Sequence, residues 1–182
     1  MSRIPVLAIE HIPAESQALL AGVQSRLGAV PNMYRIIANS PAALEAFLGF
    51  YTALDKGELD SLTRERIALA IAETNGSDYC LSAQTHRVRK AAMLDDAEIT
   101  ANRSGASNDI KADAAVRFAA KLARDRGQVS EADVETMKRA GYSDADIVEV
   151  IANVAINLFA NMINEALKTD IDFPRIAARK AA

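Results

Sequence analysis

Helix start and stop signals punctuate this chain along most of its length, and no segment of it reads as a strand. Pro13 suits the first position of a helix that runs to about Leu27, where Gly28 stops it. Pro31 opens a short helix through Tyr34 and Ile37. Ser40-Pro41 is an N-cap followed by a first-turn proline. The helix after it carries Leu44, Phe47, Leu48 and Tyr51 on one side and fades near Gly57. Leu62 to Thr74 is a further helix, ended by Asn75-Gly76, since both residues tolerate a left-handed backbone. Ser77 or Asp78 then caps a helix to about Met93. Asn102 to Asp109 is polar and reads as a mobile loop. Ile110 to Arg126 is helical up to Gly127. Ser130 caps a short helix that ends at Gly141, and Ser143, with Asp146 three residues on, opens the last long helix. Residues 1–12 read as extended, and the basic tail after Thr169–Pro174 as frayed. The expected fold is all-α, built from antiparallel helix pairs. Leu62–Thr74 and Asp78–Met93 form one such pair across the short turn.

At 182 residues, the chain is expected to be a single domain, 1–182. Trp is absent and aromatics make up 5%, so Ala, Leu, Ile and Val must fill the core. Net charge is −3 with both signs mixed along the chain, which argues against a nucleic-acid partner. One cysteine, Cys80, excludes an intramolecular disulfide and a cysteine-rich zinc site. Together with His11 and His86 it has no metal-ligand spacing, so neither metal nor cofactor is expected. The apolar run Ile4–Ile9 is too short for a secretory signal. The most apolar segment, Ile147 to Leu167, is interrupted by four Asn and two Glu, so no membrane span is expected. These readings imply a cytoplasmic protein with a reduced thiol.

Chemistry concentrates at Asn75 to Thr85. A helix stops, turns and restarts with Cys80 in its first turn, where free N–H groups and the positive end of the dipole favour a thiolate. The bland reading is that Cys80 is a buried small hydrophobe. Glu65 either pairs with Arg64 or Arg66 at the surface or is buried facing Cys80 as a carboxyl of raised pKa. His86 lies about 240° around the helix from Cys80 and reads as a surface histidine. On the last helix Asn153, Asn157, Asn161 and Asn164 fall within about 80° of one another. This stripe is either a structural seam or the lining of a pocket above Cys80.

The words Arg64-Glu65-Arg66-Ile67-Ala68 and Asn75-Gly76-Ser77-Asp78-Tyr79-Cys80-Leu81-Ser82-Ala83 carry a family resemblance, with Glu65 fifteen residues before Cys80. Pro31-Asn32, Ser40-Pro41 and Asp172-Phe173-Pro174 extend it over about residues 30–175. The chain resembles the alkylhydroperoxidase D-like (carboxymuconolactone decarboxylase) family, in its peroxidase-related branch. The resemblance implies that family's helical fold and a trimer or hexamer. It also implies an antioxidant activity in which a Cys-x-x-Cys dithiol reduces a hydroperoxide while Glu and His relay the proton.

Two of the family's positions differ here. Ser77 stands at the first cysteine, and Gln84 stands at the relay histidine. Ser77 cannot form a disulfide with Cys80, and Gln84 cannot relay a proton near neutral pH. The expected site is therefore Cys80 with Glu65, Ser77 and Gln84, and its two-thiol cycle is broken within one chain. A single-cysteine cycle would need an external thiol reductant. The alternatives are a cofactor-free lyase acting on a lactone acid through Glu65, and a non-catalytic binding protein.

Overall fold

The computed structural model describes residues 1–179. In it the chain forms nine helices: α1 (Ala14–Leu27), α2 (Asn32–Ile37), α3 (Pro41–Leu54), α4 (Ser61–Thr74), α5 (Asp78–Lys90), α6 (Asp96–Arg103), α7 (Ile110–Arg124), α8 (Glu131–Arg139) and α9 (Asp144–Leu167). Among the described residues there is no strand. The all-α expectation holds, and the stops at Gly28, Gly76, Gly127 and Gly141 all adopt positive φ. Helix α6 was not anticipated. It begins at Asp95, whose carboxylate accepts from the Glu98 N–H.

Helix α4 is the centre of the molecule. It packs against α5, α6, α7 and α9, and everything from Ile67 to Ala72 is buried. A helix apolar on all sides is a core helix rather than a surface one. Leu69 and Ala72 join one core cluster with α1, α2, α3 and α5, while Ile67 and Ile71 join a second with α7, α8 and α9. Each such Leu or Ile contributes about 1.5–3 kcal/mol of burial. Four charged residues on α4 would be costly there without partners. Each has one: Arg64 with Asp55, Glu65 with Arg87, Arg66 with Glu98, and Glu73 with Arg103.

Two segments expected to be loose are tied down. Glu98 accepts from Ser107 Oγ, the Asn108 N–H, Asn102 Nδ2 and Arg66 Nε, which pins the 104–109 loop to α4 and α6. The tail after α9 runs back over the start of α5. Asp172 accepts from Tyr79 Oη at 2.8 Å, the Ile176 N–H donates to Ser82 Oγ, and the Ala178 N–H donates to Asp78. The rest of the basic tail, from 180 on, lies outside the described residues. At the other end, Ser2 and the N-terminal amine hold Asp170.

Helix α9 is, among the described residues, the one helix long and apolar enough to cross a membrane by length and composition. Here its inner side packs on α3, α4, α5 and α7, and Asn153, Asn161 and Asn164 are buried in that packing. Its outer side leaves Val148, Ile151, Phe159 and Met162 exposed.

Candidate active site

A cavity of about 860 Å³ lies between α2, α3, the start of α4, α5, α9 and the returning tail. Cys80, Glu65 and Gln84 line it, together with Arg87, Tyr79 and Asn157. The sequence alone brought the first three together. It did so through the antiparallel α4–α5 pair, which the three-residue turn 75–77 closes. Ser77 lies deeper, fully buried beneath the thiol.

The start of α5 departs from expectation. Neither Ser77 nor Asp78 caps it: the Ser77 side chain makes no cap hydrogen bond, and Asp78 bonds the tail instead. The Ser77 hydroxyl lies against the Cys80 sulfur. Asn164 Nδ2 donates to Cys80 Sγ at 3.2 Å and to the Ala160 carbonyl at 2.9 Å. Burial pushes the Cys80 thiol up, while Ser77, Asn164 and Asn161 pull it back towards ionisation. The asparagine stripe thus takes both of its readings. Asn153 and Asn157 line the cavity, Asn161 accepts from Asn75 Nδ2, and Asn164 reaches the sulfur.

Glu65 faces Arg87, not Arg64 or Arg66. Its Oε2 lies 2.5 Å from Arg87 Nη2, although the angle does not qualify as a hydrogen bond. Burial pushes the Glu65 carboxyl up, and Arg87 and Arg64 draw it part of the way back. Arg87 also donates to Gln84 Oε1 at 2.5 Å and to Tyr51 Oη at 3.2 Å. One guanidinium therefore gathers the carboxylate of α4, the amide of α5 and the phenol of α3. A fork of fixed N–H donors can do this where a lysine cannot.

Arg87 was missed in the sequence. The available signal was its spacing, one turn beyond Gln84 on α5. His86 differs from its surface reading: it is half-buried, lines the cavity, and packs at a tilt against Phe173, ring centroids 5.7 Å apart. The tail carries Phe173 back onto α5, which no helical wheel of α5 alone can show. His11 is exposed in a short 3-10 turn at Ile9–His11. Tyr79, also missed, holds the Met33 N–H and Asp172, and burial drives its phenol far up.

The all-helical scaffold, with a buried thiol at the head of α5 and a carboxylate on the neighbouring α4, is the alkylhydroperoxidase D-like helical fold. The model of the carboxymuconolactone decarboxylase family matches residues 41–125 of the chain. The alkylhydroperoxidase AhpD core of an uncharacterized peroxidase-related protein from Ralstonia eutropha JMP134 has the same fold. It superposes with a TM-score of 0.83 at 24% identity, over 94% of this chain and 92% of that one. An uncharacterized peroxidase-related protein from Silicibacter sp. TM1040 is 27% identical, with a TM-score of 0.80 over 93% and 91% of the two chains. A debrominase variant in complex with 2,3,4-tribromopyrrole shares the fold at 21% identity, with a TM-score of 0.74 over 87% and 86%. No curated protein matches the chain by sequence.

Proposed function

We propose that this protein is a peroxidase-related oxidoreductase that reduces hydroperoxides at Cys80, in a single-cysteine cycle. The observation that carries this reading is the Cys80 sulfur itself, which lines the cavity and takes an amide donor at 3.2 Å. In the reaction the Cys80 thiolate attacks the terminal oxygen of the hydroperoxide. The O–O bond breaks and the alcohol leaves with a proton, while sulfur becomes a sulfenic acid, oxidised by two electrons. One external thiol condenses with the sulfenic acid and releases water. A second thiol cleaves the mixed disulfide and restores Cys80. Glu65 exchanges the proton with the cavity, and Gln84 holds Arg87 beside it.

A second reading has its own support. A buried carboxyl of raised pKa in an organic-sized cavity suits proton transfer to carbon, so a lyase acting on a lactone acid through Glu65 is the competing activity. The debrominase that shares the fold adds a halogenated-ring substrate to the screen. The protein is proposed to work in the cytoplasm as a homo-oligomer, a trimer or hexamer, on a small-molecule substrate. Nucleic acid and membrane are not proposed as partners.

Steady-state hydroperoxide consumption with a thiol reductant tests the reading. Wild type should turn over slowly and Cys80→Ala not at all. Ser77→Cys together with Gln84→His should be faster than wild type, because a resolving thiol and a proton carrier act as a unit. Full activity in Cys80→Ala would remove the thiol from the mechanism. Lactone turnover that survives Cys80→Ala but not Glu65→Gln would establish the lyase instead.

A further inference from the structure

Seven helices begin at a Ser or Asp N-cap, and six of these side chains bond the backbone N–H three residues on: Ser40, Asp60, Asp95, Asp109, Ser130 and Ser143. Ser77 is the exception, and its buried hydroxyl has no hydrogen-bond partner by strict geometry. Two asparagines of α9 share the place. Asn161, whose Oδ1 is held by Asn75 Nδ2 at 2.8 Å, has an unpartnered and buried Nδ2. Asn164 is anchored on the Ala160 carbonyl and directs the same amide nitrogen to Cys80 Sγ. Both asparagines are 2% exposed and Ser77 is 0% exposed. Asn164 thus donates to the sulfur, the Ser77 hydroxyl and the Asn161 amide are buried close to it with donors still free, and the sulfur itself lines the cavity.

We propose that Ser77, Asn161 and Asn164 are positioning residues that offset part of the cost of ionising the buried Cys80 thiol, in place of a proton relay. A thiol sulfur is a weak acceptor and a thiolate a strong one, so donors fixed on it favour the anion. On ionisation the S–H bond breaks, the electron pair stays on sulfur, and the proton passes to water at the cavity side. This rests on reading Cys80 as the reacting group.

The charged and titratable neighbours oppose the ionisation or leave it unaided. Glu65 on α4 is paired with Arg87, and Glu165 on α9 disfavours the anion while pairing with Lys168. Tyr79 on α5 is committed to Asp172 of the tail, and His86 packs at a tilt against Phe173. The favourable contribution thus comes from the three neutral side chains.

The rate of alkylation of Cys80 by iodoacetamide against pH tests this directly, since its midpoint reports the thiol's ionisation without any assumption about the substrate. Ser77→Ala removes a hydroxyl that caps nothing, so the fold should survive. It should move the midpoint upward and slow alkylation below the midpoint about tenfold, the effect of one lost hydrogen bond to a charged group. Ser77→Thr should restore the wild-type midpoint, and Asn164→Leu should shift it in the same direction as Ser77→Ala. An unchanged midpoint in Ser77→Ala would overturn the proposal, as would a wild-type thiol that iodoacetamide reaches at no pH. Shifted midpoints without any peroxide consumption would strike the hydroperoxide reading alone and leave the donor set standing.

Discussion

Glu65 and Arg87 illustrate how one residue's setting decides its chemistry. Burial holds the Glu65 carboxyl above its ordinary 4.5 even with Arg87 beside it. For an acid whose folded pKa is raised, the contribution to stability is complete below the unfolded pKa. It is lost as pH rises through the folded pKa. Wild type should therefore lose a little stability as pH climbs from about 4.5 through that raised value. Arg87→Leu removes the compensating charge, so the carboxyl should rise further and the loss should deepen and extend to higher pH. Urea melts across the acidic-to-neutral range check this. A parallel profile for wild type and Arg87→Leu would mean that the pair is screened and contributes nothing. Glu65→Gln should abolish the pH dependence that Arg87→Leu amplifies.

At the scale of an element, α6 and the loop after it depend on one carboxylate. Burial would raise the Glu98 carboxyl, but Ser107, Asn102, the Asn108 N–H and Arg66 outweigh it and bring the group down to about 2. A depressed pKa stabilises above the unfolded value and is lost as pH falls through the folded one. Glu98→Gln should thus cost about 1–3 kcal/mol at neutral pH, the range for leaving buried partners unsatisfied. The penalty should shrink as the pH approaches 2. Amide hydrogen exchange would show the loss locally, in residues 104–109 and α6. Protection there equal to wild type would show that the loop is held by something other than Glu98.

At the scale of the whole molecule, α9 presents two faces. Inside, it supplies the asparagines of the site. Outside, Val148, Ile151, Phe159 and Met162 lie within about 80° of one another on the helical wheel. Val148 is 64% exposed and Met162 68%. Such a stripe on a helix is a subunit contact more readily than a solvated face. We expect a homo-oligomer at micromolar concentration by light scattering. Val148→Glu with Met162→Glu should reduce it to smaller species with little loss of helical circular dichroism. A wild-type monomer would contradict this assembly.

Most of the helices were legible in the chain itself, because caps, glycine stops and first-turn prolines act over a few residues. Ser40, Ser130, Ser143, Gly28, Gly127 and Gly141 each did what their type dictates locally. The pairing of α4 with α5 was equally legible, since three residues leave no other path, and it placed Glu65 and Cys80 on one cavity. What tertiary structure alone decided was where polar side chains spend their hydrogen bonds. Ser77 leaves the backbone uncapped and is buried beside a sulfur, Glu65 meets Arg87 rather than its sequence neighbours, and Asp172 of the tail meets Tyr79. Those partners are up to 93 residues apart in the chain. Burial forces each polar group to find a partner, but only the packing of helices determines which partner is within reach.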